Sequence, residues 1–268
     1  MPYAHLSTGI RTYYERTGEG PRLLLIMGTG LDHKLWNAQV AAYRDEFECI
    51  VFDNRGTGKT KAPDDRLSVR LMAEDTLALL DELGIERCHV SGLSLGSCIA
   101  QELTLMRPEA VASLQLHGTW GRADGYTERK FRAQLRMLEE MDLRSFYEIN
   151  VLWFMTPEFM RRKAGALSRR VKAIVASAPS KELLMAQYQA NLAHETMDRL
   201  AEIRAPTLVT VGSFDLATPP MYGREVAEAI PGAELVVFEG GGHLHNVEAA
   251  GDFNGVTLEF LRRHAARA

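Results

Sequence analysis

The stretch His89-Val90-Ser91-Gly92-Leu93-Ser94-Leu95-Gly96-Ser97 decides how this chain is read. His89–Val90 leads into a glycine, a serine stands two residues on, and a second glycine stands two residues after that. Ser97–Met106 then reads as a helix that stops before Pro108, because the residue ahead of a proline is driven out of the helical region. A strand, then Gly92-Leu93-Ser94-Leu95-Gly96, then a helix describes a serine on a very sharp turn. Its neighbours two residues away must be nearly free of side chain. Such a serine is lifted above the sheet edge, and the N–H groups of the new helix favour negative charge beside it. Ser94 is therefore the candidate nucleophile, and the backbone N–H of Leu95 is the first candidate donor to an oxyanion.

The same pattern of short apolar runs ending in Gly or Asp recurs along the chain. Residues 10–16 alternate as a strand does. Leu23–Met27 ends at Gly28, Cys49–Phe52 at Asp53, Leu208–Val211 at Gly212 and Leu235–Phe238 at Glu239, while Ala112–Leu116 leads to Gly118. Runs of this kind predict buried parallel strands. Helical patterns lie between them. Leu71, Met72, Leu79, Leu80 and Leu83 share a face and stop at Gly84, 220–229 runs up to Pro231, and 248–264 carries Phe253, Val256, Phe260 and Leu261. Strands alternating with helices predict an α/β doubly wound sheet. Residues 120–195 break the alternation with helices and no strand. Residues 122–195 hold 13 Lys/Arg against 9 Asp/Glu, a net +4, whereas the rest of the chain is net −8. The expected organisation is a core of 1–119 and 196–268 with a helical cap, 120–195, inserted between two core strands.

Composition excludes several classes. Of the 268 residues, 46% are hydrophobic and 25% charged, the balance of an ordinary globular protein. The net charge of −4 lacks the basic excess of a nucleic-acid binder. Cys49, Cys88 and Cys98 are odd in number and form no C-x-x-C or Cys/His cluster, so neither a disulfide scaffold nor a zinc site is expected. No signal peptide is visible and no apolar run approaches a membrane span, so a cytoplasmic protein without membrane partners is expected. Gly56-Thr57-Gly58-Lys59-Thr60 lacks the spacing of a phosphate-binding loop. No cofactor and no metal is expected.

A serine hydroxyl needs a base, and the base needs a third group to hold it. Asp215 follows the 208–211 run and Gly212, and His243 follows the next run and the triple glycine 240–242. Both stand at carboxyl ends of strands, where open α/β sheets build sites. Asp215 is the candidate acid. His243 is preferred to His245 as the base, because the glycines let its loop fold over the site. A second oxyanion donor is expected from Gly28-Thr29-Gly30. The Thr29 N–H is preferred, with Gly30 the alternative. Gly30, His117, Trp120, Trp153 and Phe154 are candidate substrate contacts. Asp32 and His33 follow the same loop and are expected to serve it structurally.

Together these residues resemble the α/β-hydrolase superfamily, over essentially the whole chain. Asp53-Asn54-Arg55-Gly56-Thr57-Gly58 resembles its D-x-R-G-x-G turn, where the resemblance implies that Arg55 braces a loop. The family often has His-Gly at the oxyanion loop, and Met27-Gly28 stands here instead. Closer similarity is to 3-oxoadipate enol-lactonases and related small lactonases and esterases. It is carried by Met1-Pro2-Tyr3-Ala4, 153–159, 215–220, 230–233 and 243–248. The resemblance implies an eight-stranded, mostly parallel sheet and a triad of Ser94, Asp215 and His243. The partner it implies is a small-molecule ester or lactone, cleaved through an acyl-enzyme. A carbon–carbon bond hydrolase or a cofactor-free perhydrolase of the same fold would use the same residues. A ligand receptor on this scaffold would have no need of all three.

Overall fold

The computed structural model describes residues 2–61 and 67–267. Eight strands form one sheet: β1 (Tyr3–His5), β2 (Arg11–Thr17), β3 (Arg22–Ile26), β4 (Glu48–Phe52), β5 (Cys88–Leu93), β6 (Val111–His117), β7 (Thr207–Gly212) and β8 (Glu234–Phe238). Their spatial order is β1-β2-β4-β3-β5-β6-β7-β8. β2 runs antiparallel to both its neighbours, and every other pairing is parallel. Of the eight, only β1 has no counterpart among the apolar runs of the sequence. It is three residues long, too short to show a period.

The helices are α1 (Asn37–Tyr43), α2 (Val69–Glu82), α3 (Leu95–Met106), α4 (Gly125–Glu140), α5 (Leu143–Phe154), α6 (Pro157–Ser177), α7 (Lys181–Ala193), α8 (Pro220–Ala229), α9 (His245–Glu248) and α10 (Ala250–His264). The C-terminal helix expected over 248–264 is thus two pieces broken at Ala249, which lies outside the helical region at φ −120° and ψ 43°. α1 and α10 pack on one another on one face of the sheet, and α2 packs on α3 on the other. β6 makes the two-residue period visible. Gln115 Nε2 donates to the Thr257 carbonyl of α10, and the His117 ring lies 4.8 Å from that of Phe253. Residues 112, 114 and 116 therefore point to the opposite layer. Leu23, Leu24, Leu25 and Ile26 are fully buried, as a central strand covered on both faces must be.

Helices α4–α7 are inserted between β6 and β7 in chain order. Near its two ends this stretch is joined by an Arg122–Glu195 β-bridge and a Thr196 N–H to Gly121 carbonyl bond of 2.8 Å. Asp124, Asp142, Thr156 and Ser180 each cap one of these helices with a side-chain oxygen, as short polar residues do at helix starts. Among the described residues no helix is long and apolar enough to cross a membrane.

Candidate active site

The Ser94 turn joins β5 to α3 with no spare residue. Ser94 has φ 56° and ψ −124°, and it is the one non-glycine with positive φ among the described residues. A side chain is held in this sparsely populated region only when its surroundings enforce it. The two glycines supply that enforcement. A Cβ on Gly92 would lie 2.3 Å from the Gly96 carbonyl oxygen, and one on Gly96 would lie 2.2 Å from that of Ile26. The Ser94 N–H donates to the His117 carbonyl at 2.8 Å, tying the turn to β6. Ser94 remains half-buried while every neighbour from Gly92 to Gly96 is buried.

Asp215 and His243 meet beside it. His243 Nδ1 lies 2.7 Å from Asp215 Oδ2. The other carboxylate oxygen, Oδ1, accepts the N–H groups of Ala217 at 2.7 Å and Thr218 at 2.8 Å. Thr218 Oγ1 donates to Oδ2 at 3.0 Å. Burial pushes the Asp215 carboxyl up, but its interactions with His243 and the Thr218 N–H outweigh this and hold it below the ordinary value. An ionised carboxylate on Nδ1 makes that nitrogen the proton carrier and leaves Nε2 with a lone pair. Gly118, at φ +55°, backs this pair. A Cβ there would stand 2.9 Å from His243 Cε1.

Ser94 and His243 line one narrow cavity of about 20 Å³, together with Thr29, Lys130, Gln134 and Phe154. Their side chains are not hydrogen-bonded to each other in this resting arrangement. Such contacts commonly tighten only around substrate. The Phe154 ring lies 5.3 Å from the His243 imidazole.

The 28–30 loop is braced largely by the insertion. The Gly30 N–H donates to Gln187 Oε1 at 2.7 Å, and the Tyr147 hydroxyl donates to the Gly30 carbonyl at 2.9 Å. Asn191 Nδ2 donates to Thr29 Oγ1, and Asn54 Nδ2 to the Met27 carbonyl. These contacts do the bracing at Met27-Gly28, where the family often has His-Gly. They also correct one expectation. The Gly30 amide is already engaged, so it is not a free donor. The N–H groups of Thr29 and Leu95 have no acceptor among the described residues.

Four expected pocket residues sit elsewhere. Gly30 carries Gln187 and Tyr147 and does not line the cavity. Trp120 is fully buried, 5.5 Å from the Phe131 ring, as part of the core. Trp153 lies on α5 but outside the cavity lining. His117 is fully buried below the site, because its place on β6 points it at α10. Its Nδ1 meets Thr210 Oγ1 at 2.7 Å and its Nε2 meets Ser91 Oγ at 3.0 Å. Thr210 Oγ1 also meets His245 Nε2 at 2.8 Å, and His245 Nδ1 faces the Gly242 carbonyl at 3.3 Å. One set of neutral tautomers satisfies the whole chain. His245 gives its Nδ1 proton to the carbonyl, Thr210 gives its proton to His245, His117 gives its Nδ1 proton to Thr210, and Ser91 gives its proton to His117. Asp32 and His33 are structural as expected. Asp32 caps the turn at Lys34, and His33 Nδ1 meets Asp53 Oδ1 at 2.7 Å. Arg55 makes a buried two-point ion pair with Asp75, both contacts at 2.7 Å, and does not touch the cavity.

The buried histidines carry a pH signature. Burial holds His245 and His89 down at about 4, His194 at about 3, and His117 well below its ordinary 6.5. At these four positions the unfolded chain therefore binds more protons than the folded one below pH 6.5, whereas His33, whose contacts with Asp53 outweigh the downward pull of burial and raise it, acts in the opposite sense. The contribution of these four to stability is complete above that pH and falls as the pH drops toward 4. Each unit removes roughly 1.4 kcal/mol per histidine until that group's own pKa is reached. Urea midpoints measured from pH 7.5 to 4.5 are expected to drop steeply below 6.5. A flat profile would contradict the buried, neutral assignment.

Sequence reasoning missed several side chains. Glu248 accepts the N–H of Gly242 at 3.1 Å and of Thr156 at 2.7 Å, which joins the His243 loop to the start of α6. Lys130 and Gln134 lie on the buried stripe of α4, with Thr127, Phe131 and Leu138. Their signal was available as polar residues at apolar-face positions. Lys130 is 8% exposed, with its ammonium 3.9 Å from the Phe131 ring centroid. Burial pushes its pKa down to about 7, against the upward pull of Asp215.

The comparisons agree with this fold. A model of the alpha/beta hydrolase fold matches residues 21–250. A protein of Azorhizobium caulinodans named as the carbamate hydrolase RutD is 31% identical over 260 residues, covering 97% of this chain and 98% of that protein. The solved enol-lactonase of Burkholderia xenovorans superposes with a TM-score of 0.90 at 27% identity, covering 97% of this chain and 100% of that one. A thermophilic esterase of Thermogutta terrifontis gives 0.87 at 27% identity, with 98% of each chain covered. With its eight-stranded sheet, its serine turn and a family match over most of its length, the chain belongs to the α/β-hydrolase family and is a hydrolase.

Proposed function

We propose that this hydrolase cleaves a small carboxylic ester or lactone by two-step acyl transfer at Ser94. The observation that carries the reading is that Ser94, on its strained turn, opens into the same cavity as His243, which is hydrogen-bonded to buried Asp215. His243 Nε2 takes the Ser94 proton as Oγ attacks the carbonyl carbon. The resulting oxyanion is held by the N–H groups of Leu95 and Thr29. Asp215 fixes the imidazole tautomer and stabilises the imidazolium. The alcohol leaves with the proton from His243. Water, activated by the same histidine, then releases the acid from the acyl-enzyme. Helices α4–α7 serve as the cap that excludes bulk water and bounds the acyl group. The enol-lactonase and esterase among the structural neighbours support this reading.

A second reading is carbamate hydrolysis, the chemistry named for the RutD relatives. The observation favouring it is Gln134 Oε1, buried in the cavity lining with no hydrogen-bond partner. Its amide nitrogen is engaged with Asn150 Oδ1, so the oxygen is fixed as an acceptor and suits a substrate N–H. A panel of p-nitrophenyl esters from acetyl to octanoyl, with several lactones and p-nitrophenyl N-methylcarbamate, separates the readings. The narrow cavity predicts an optimum among the shortest acyl chains. Faster turnover of the carbamate than of any ester would favour the second reading, and no turnover of any of them would overturn the proposal.

A further inference from the structure

Lys130 is the one lysine or arginine among the described residues that line the Ser94 cavity, and no described side chain forms an ion pair with it. It is 8% exposed, and no carboxylate of the described residues lies within 4 Å of its ammonium. Among the described residues its ammonium meets the Phe131 ring face, at 3.9 Å. The Asp215 carboxylate acts on it from a distance, but both Asp215 oxygens are already taken by His243, Ala217 and Thr218. Other cations of the insertion behave differently. Arg132, Arg144 and Arg162 are exposed and paired with a glutamate four residues away along the helix. Buried charges are normally paired, because removal from water is otherwise costly. An unpaired one whose side chain lines the cavity beside Ser94 and His243 is therefore a site waiting for an anion.

We propose that the substrate carries a carboxylate in addition to the bond being cleaved, and that Lys130 binds that carboxylate across the cavity from Ser94. This rests on the acyl-transfer reading of the same site. A carboxylate on the acyl portion would pair with the ammonium while the ester carbonyl lies at Ser94. Lys130 thus selects half-esters of dicarboxylic acids, or lactones bearing an acid, over neutral esters of the same shape. One hydrogen bond to a charged group contributes about 1.5–3 kcal/mol, a roughly 10- to 100-fold preference.

The test uses the monomethyl esters of succinate, glutarate and adipate. Each is compared with the methyl ester in which an isopropyl group replaces the free carboxylate. For at least one length, kcat/KM of the wild type is expected to favour the anionic ester by at least about tenfold. In Lys130→Met that ratio falls to near one, mainly through KM, and Lys130→Arg keeps part of it. Binding of free succinate, glutarate and adipate to Ser94→Ala, followed by calorimetry, supplies a readout that needs no turnover. Binding of one of them is expected, and it is lost in Ser94→Ala/Lys130→Met. Ser94-dependent turnover without charge preference, or dicarboxylate binding indifferent to Lys130, would overturn the anchor while leaving the ester reading in place. Lys130-dependent binding with no turnover of any ester would uphold the anchor and overturn the ester reading.

Discussion

Ser94→Ala is expected to lower kcat for any ester the wild type accepts by about a million-fold, with a melting temperature close to that of the wild type. The two halves of this result have separate causes. The hydroxyl is the only atom removed. It makes no hydrogen bond within the described residues, so the folded state loses nothing it relied on. The turn itself is set by Gly92 and Gly96, which alanine at 94 leaves alone. Catalysis loses the atom that forms the covalent bond. What remains is the residual acceleration from the Leu95 and Thr29 N–H groups and from binding. Activity within a hundredfold of wild type, in a folded variant, would remove Ser94 from the mechanism.

Asp215→Asn is expected to cost about 10⁴-fold in kcat with little change in fold. The direction follows from which atoms face which. Oδ1 accepts two backbone N–H groups, from Ala217 and Thr218, so the carboxamide oxygen of asparagine must occupy that place. The NH₂ group then takes the position of Oδ2, 2.7 Å from His243 Nδ1. Two donors cannot face each other, so Nδ1 gives up its proton and Nε2 carries it. The nitrogen that should accept the Ser94 proton is now occupied. A kcat within tenfold of wild type would show that Asp215 does not set the tautomer.

The sheet and the meeting of Ser94, Asp215 and His243 at its strand ends were legible because their signals are local. Gly92, Ser94 and Gly96 stand at fixed spacing, and Gly212 with the triple glycine 240–242 marks where β7 and β8 end, just before Asp215 and His243. Each is a backbone requirement written into a few adjacent residues. The pocket was not legible for the opposite reason. Phe154 was found, but Gly30, His117, Trp120 and Trp153 were chosen by nearness to the site along the chain. Whether His117 faces the cavity or α10 depends on strand parity and on Thr210 and Ser91, which come from other strands. The charges of residues 122–195 read only in sum, as a net +4, and Arg132, Arg144 and Arg162 lie exposed on helix faces, each paired with a glutamate. Lys130 differs only because α4 turns its stripe of Thr127, Phe131, Gln134 and Leu138 inward. The support of the oxyanion loop is non-local as well. Gln187 and Tyr147 reach Gly30 from more than a hundred residues away.

The central claim is that Ser94 is an activated nucleophile. A fluorophosphonate tests it directly, since an activated serine displaces fluoride and keeps the phosphonyl group on Oγ. Intact-mass analysis of the wild type after exposure is expected to show one adduct, mapped by peptide sequencing to Ser94, absent in Ser94→Ala and formed far more slowly in Asp215→Asn. No adduct on folded wild-type protein, or an adduct at another serine that persists in Ser94→Ala, would contradict the account.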